Sequence, residues 1–157
     1  MTLAEDLSQV LIIGLDQEVF ALPATLVRDI LEVGEITPLP TAPAFVGHLV
    51  NVRGRVVPLA DLRLRFGMTS AVATVDTRMV VLEVMIDHEP TLVAVLADKV
   101  YEVAQLDTVV AEEVPKIGTR WRPEFARAIG KRHSAFVMVL DIDRIFAPDD
   151  TDLTVSP

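Results

Sequence analysis

Valine constrains this chain more than any other residue: 24 of its 157 residues are valine, set in short clusters. Val56-Val57, Val80-Val81 and Val109-Val110 are doublets, while Val93 and Val95, and Val137 and Val139, alternate with other residues. Side chains branched at Cβ lose rotamer freedom in a helix and pack well on a pleated surface, so these clusters favour strands. The apolar runs are short and bounded by turn residues, the pattern of many short strands rather than a few long helices. Strands are expected over residues 9–15, 18–22, 49–51, 55–59, 78–87, 91–103 and 136–140, with Asp16-Gln17 as a tight turn between the first two. Helical signals are few. Residues 23–30 are expected to form one or two turns with Leu26, Val27 and Ile30 on one face. Residues 61–66 and 141–146 each begin with an aspartate able to cap orphan backbone N–H groups. Pro38, Pro40 and Pro43 keep their own connector, over residues 37–47, extended.

Two segments repeat weakly. Residues 22–30 and 95–103 both end in valine, any residue, an acid and an aliphatic, and Asp61-Leu62 with Phe66 is echoed by Asp141-Ile142 with Phe146. Two readings of the echo stand: amphipathic segments that look alike, or two similar small β-barrels packed together, each too small to bury a good core alone.

Composition narrows the function classes. The chain is 51% hydrophobic and 24% charged, too apolar for a disordered segment. It has no cysteine, which removes thiolate catalysis, disulfides and sulfur-based zinc sites and fits a reducing compartment. No apolar run approaches the roughly 18–20 residues that span a bilayer, and residues 1–9 hold Glu5 and Asp6 with no basic stretch, unlike a signal peptide. The expected location is therefore the cytoplasm. A formal charge of −9 disfavours nucleic acid and anionic membranes as partners. A basic cluster of Arg53, Arg55, Arg63 and Arg65 lacks the interleaved aromatics that stack bases.

Catalytic patterns are missing as well. The seven glycines form no phosphate cradle, and the few serines sit in no nucleophile elbow. His48, His88 and His133 have no metal-ligand spacing and read as solvated side chains. Residues 132–134 read as a polar hairpin turn. Asp141 and Asp143 read as first-turn acids of a helix rather than as a cation site.

What remains is the stretch Gly47-His48-Leu49-Val50-Asn51-Val52-Arg53-Gly54-Arg55-Val56-Val57-Pro58-Leu59-Ala60-Asp61-Leu62-Arg63. It resembles the signature of CheW-like domains, the adaptor modules of bacterial chemosensory arrays: glycine, an aliphatic strand, Asn-x-Arg-Gly, aliphatics, proline and Asp-Leu-Arg. The resemblance extends from about residue 9 to residue 146. Residues 18–30 are similar to the family's second strand and short helix, and residues 37–47 to its proline-marked connector. Residues 92–103, with Asp98, Val100 and Val103, resemble its "V-D-x-V-x-x-V" strand with Ala97 in place of the usual valine, and residues 138–142 its closing strand.

The resemblance implies an all-β fold of two SH3-like five-stranded barrels around a shared hydrophobic core, with a few short helices. These would form one domain over residues 9–147 with flexible ends at 1–8 and 148–157. It implies a non-enzymatic adaptor without cofactor or metal, coupling the cytoplasmic tips of chemoreceptors to the regulatory domain of a CheA-type histidine kinase, in the cytoplasm at membrane-associated receptor arrays. Residue by residue, the functional arginine carries over to Arg53, its acidic partner to Asp29, where the family commonly has glutamate, and the groove position to Val27. Asn51 and Gly54 complete the motif.

The same residues have plainer roles open to them: Arg53 as a solvated loop side chain, Val27 as core, Asn51 and Gly54 as turn geometry. Rival functions are a CheW-like module of a divergent pathway controlling gliding, pili or cyclic-nucleotide output, a small-ligand-binding β-barrel, or an enzyme subunit. The related CheV adaptor would need a receiver domain, and only an acidic tail, expected to be frayed, follows Phe146.

Overall fold

The computed structural model describes residues 9–41, 46–68, 72–106, 109–110 and 125–146. The expected flexible ends and part of the proline connector, residues 42–45, lie outside them. The strands are β1 (Val10–Leu15), β2 (Glu18–Pro23), β3 (Val27–Glu32), β4 (Ile36–Pro38), β5 (His48–Val52), β6 (Arg55–Ala60), β7 (Arg78–Ile86), β8 (Glu89–Ala97), β9 (Lys99–Ala104), β10 (Val109–Val110), β11 (Ala126–Arg132) and β12 (Ala135–Leu140). Two short helices follow β6 and β12: α1 (Leu62–Arg65) and α2 (Ile142–Phe146).

The strands form two sheets of six, in the orders β10-β11-β12-β2-β1-β9 and β3-β7-β8-β6-β5-β4. The expected strand count of five per barrel rises to six through the two-residue β10 and the three-residue β4. Reversing the second order aligns the sheets strand for strand, including one parallel pair in each, β12 with β2 and β6 with β8. Each half of the chain therefore gives its first two strands to one barrel and its next four strands to the other. The repeated segments mark the two crossings between barrels, at Ala24–Leu26 and at Asp98.

Alternation along the strands explains why so many are apolar on both faces. In β1, Leu11, Ile13 and Leu15 enter a cluster built from both sheets, while Val10 and Ile12 enter one confined to the first sheet. In β7, Val80, Leu82 and Val84 face the shared cluster, and Met79 and Val81 face one confined to the second sheet. A strand with one face in its own barrel and one in the interface needs apolar residues at every position. Phe20, Phe66 and Phe125 stack through the shared core with centroids 5.6 and 5.8 Å apart.

Several local expectations change. The helix expected over residues 23–30 shrinks to a 3-10 turn at Ala24–Leu26, and Val27–Glu32 is strand β3, paired with β7. Ladder hydrogen bonds and a β-branched Val27 outweigh the helical spacing there, and Ile30 is exposed rather than buried with Val27. The strand expected over 91–103 breaks at Asp98, where the chain changes sheet. Strand β11 was not expected, because Ala-Arg-Ala-Ile-Gly-Lys-Arg has little β propensity; pairing with β12 creates it. Both caps form: Asp61 Oδ1 accepts from the Arg63 N–H at 3.0 Å and Asp141 Oδ1 from the Arg144 N–H at 3.1 Å.

Candidate functional site

The Asn-x-Arg-Gly stretch folds as the β5–β6 hairpin, whose last pair is Val52 opposite Arg55. Arg53 and Gly54 form the two-residue turn, with φ of 50° and 86°. Two positive φ values match the twist of the flanking strands. A Cβ on Gly54 would meet nothing within 4 Å, so backbone conformation alone accounts for glycine here. Asn51 Oδ1 accepts from the Gly54 N–H at 2.9 Å and closes the turn. Asn51 and Gly54 thus have the turn role that the residues themselves suggested.

The turn presents Arg53 to β3. Its Nε donates to Asp29 Oδ2 at 2.5 Å, and Asp29 Oδ1 accepts from the Ile30 N–H at 3.0 Å. The Arg53 hydrogen bond is the chief influence holding the Asp29 carboxyl below its ordinary pKa, and the same bond raises that of Arg53. The Arg53 side chain remains 71% exposed, so its outer guanidinium face is open to a partner. Asp29 lies on a strand, not on the short helix expected from the sequence, and its shorter side chain still reaches the arginine. A register shift between Val27 and Asp29 sets the acid's position. Val27 is partly buried and packs on the shared core, closer to its plain reading as core. Exposed Ile30 and Val56 add apolar surface beside the pair, Val56 being 69% exposed.

Two further charge clusters went unread in the sequence. Arg63 at the start of α1 donates from Nε to Asp98 Oδ1 at 3.1 Å and from Nη2 to Asp98 Oδ2. Asp98 Oδ2 also accepts from the Asp16 N–H at 2.6 Å. A helix of the second barrel is thereby tied to the crossing and to the β1–β2 turn of the first, and the Asp98 hydrogen bond is the chief cause raising the Arg63 pKa. The other cluster mirrors Asp29 and Arg53: Arg132 Nε donates to Glu102 Oε2 at 2.7 Å beside the β11–β12 turn, and His133 Nε2 lies 3.7 Å from the same oxygen. The Arg132 bond is the main cause lowering the pKa of Glu102. The repeat of residues 22–30 in 95–103 places Glu102 opposite Asp29 and was the available signal for this second pair. His48 and His88 are exposed. Among the described residues no group of three or more acids or histidines could hold a metal ion.

The sequence model of CheW-like domains matches residues 9–149. The chain is 28% identical to a chemotaxis protein CheW of Rhizobium meliloti over 87% of its own length and 85% of that protein's. It is 22% identical to a chemotaxis protein CheW of Treponema pallidum over 94% and 86%. In structure it is similar to the scaffolding protein TtCheW of Thermoanaerobacter tengcongensis, with a TM-score of 0.77 at 22% identity, covering 90% of this chain and 89% of that one. That likeness fits two packed SH3-like barrels. With two such barrels, the Asn-x-Arg-Gly hairpin and a family match over nearly the whole length, the chain belongs to the CheW-like domain family, with the chemotaxis coupling-adaptor role that the family carries.

Proposed function

We propose that the chain couples chemoreceptors to a CheA-type histidine kinase without catalysing a reaction of its own. One face docks the kinase's CheW-like regulatory domain, and the groove beside β3 and the β5–β6 turn takes the helical tip of a receptor. Arg53 and Asp29 make the polar contact there, Val27 and Ile30 supply apolar surface, and Asn51 and Gly54 hold the turn that presents Arg53. The observation that carries this reading is the Arg53–Asp29 pair: it fixes a turn against a neighbouring strand yet leaves the guanidinium exposed. The bond to Asp29 uses Nε alone, which leaves the guanidinium's four other N–H donors for a partner.

The adaptor acts in the cytoplasm at receptor arrays; no helix among the described residues is long and apolar enough to cross a membrane. A double-mutant cycle on assembly of receptor, adaptor and kinase tests the site. Arg53→Ala and Asp29→Ala should each impair assembly and be non-additive, with circular dichroism and kinase binding preserved. Wild-type assembly by Arg53→Ala would remove Arg53 from the site.

A further inference from the structure

The β5–β6 hairpin, residues 48–60, carries Arg53 and Arg55 and no acidic residue, on a chain of 23 acids and net charge −9. On β3, to which Arg53 reaches, each charge has an opposite beside it. Asp29 gives one oxygen to Arg53 Nε and the other to the Ile30 N–H. Arg28 Nη2 lies 3.4 Å from Glu83 Oε2, and Glu32 stands opposite Arg78 in the ladder. Two arginines against the one carboxylate of Asp29 leave a surplus of one positive charge at the turn.

That charge is held in place. Arg53 occupies the first of the two positive-φ positions, and Asn51 closes the turn through the Gly54 N–H. The bond to Asp29 spends Nε, so the N–H groups on Nη1 and Nη2 have no acceptor among the described residues. Parallel donors on a planar guanidinium match the two oxygens of a carboxylate. The Arg53 side chain is 71% exposed and that of Asp29 only 22%, so an incoming group meets the arginine first. It also meets Val56 and Ile30, which are exposed beside the pair and lose their contact with water when covered.

We propose that the chemoreceptor tip presents a carboxylate to the Nη groups of Arg53, with an aliphatic side chain one helical turn away against Val56 and Ile30. This rests on the receptor-coupling reading above and adds the chemistry of the residue that meets Arg53. On a helix the acid and the aliphatic stand three or four residues apart. Asp29 is then a positioning residue: it holds the guanidinium through Nε and leaves the other donors to the partner. Lysine is no substitute, because a compact ammonium would have to serve Asp29 and the partner's carboxylate at one point.

Calorimetric titration of the full chain against a soluble chemoreceptor fragment, and separately against the kinase regulatory domain, tests this. Arg53→Lys should weaken receptor binding about tenfold, the loss of one charge-assisted hydrogen bond, and leave kinase binding unchanged. Replacing the acids of the receptor tip by their amides, one at a time, should find one whose loss is as large and is not additive with Arg53→Lys. Receptor binding that falls although no receptor acid couples to Arg53 would overturn the carboxylate and leave the receptor site standing. So would wild-type affinity in Arg53→Lys combined with weak binding by Arg53→Gln. Wild-type affinity in both variants would remove the site, and the proposal with it. A loss of kinase binding, or of self-association measured by sedimentation, in place of receptor binding would give the carboxylate to that partner and overturn the proposal as well.

Discussion

Replacing Asp98 by alanine removes an acceptor shared by three donors: Arg63 Nε, Arg63 Nη2 and the Asp16 N–H. Hydrogen bonds to a charged group contribute about 1.5–3 kcal/mol each when well shielded. Shielding here is incomplete, because the Asp98 side chain is 35% exposed and water can replace part of what it supplies, whereas the Arg63 side chain is only 14% exposed. The expected loss is therefore about 2–3 kcal/mol in total, well under the sum of three ideal bonds. For a chain of this size that lowers the melting temperature by about 4–12 °C. Thermal unfolding followed by circular dichroism measures it. Arg63→Ala should cost a similar amount, and the double variant less than the two together, since both remove one interaction. A shift below about 2 °C for Asp98→Ala, or full additivity, would refute the idea that this cluster locks helix α1 to the crossing between barrels.

Gly54→Ala should cost about 1–2 kcal/mol, because alanine pays a left-handed penalty even though its Cβ would meet nothing; denaturant unfolding measures it, and Gly34→Ala, where nothing crowds the Cβ and no positive φ is required, is the control. The Asp29 carboxyl should titrate below the ordinary aspartate value in pH-dependent NMR, and Arg53→Gln should bring it back up. Because the folded pKa is depressed, the stability this pair contributes is present above the unfolded value and lost as pH falls through the folded one. Phe66→Ala, which empties the centre of the three-ring stack, should cost about 3–5 kcal/mol and lower the melting temperature by more than any surface change.

Strands β1, β2, β7 and β12 were legible because their valines and isoleucines sit between clear turn residues. Both aspartate caps were legible for a similarly local reason. Residues 23–30 misled because Leu26, Val27 and Ile30 fit a helical spacing as well as a strand, and only pairing with β7 decides between them. Strand β11 depends wholly on its partner and has no signal of its own. The break at Asp98 falls where Asp98-Lys99 interrupts the apolar residues, and it was passed over because β8 and β9 each continue the β pattern on either side. Among the charged groups, pairing of Asp29 with Arg53 came from the family resemblance and not from spacing. Arg63 with Asp98, 35 residues apart, had no local signature, because which long side chains meet is set by how the barrels pack, and Arg132 with Glu102, 30 apart, was signalled only by the internal repeat.

The coupling role itself is tested most directly by mixing the purified chain with a CheA-type kinase and a soluble chemoreceptor fragment and sedimenting the assembly. The kinase and receptor should enter one particle when the chain is present and separate when it is omitted. Equal co-sedimentation with and without the chain, or a chain that binds neither protein, would contradict a coupling adaptor.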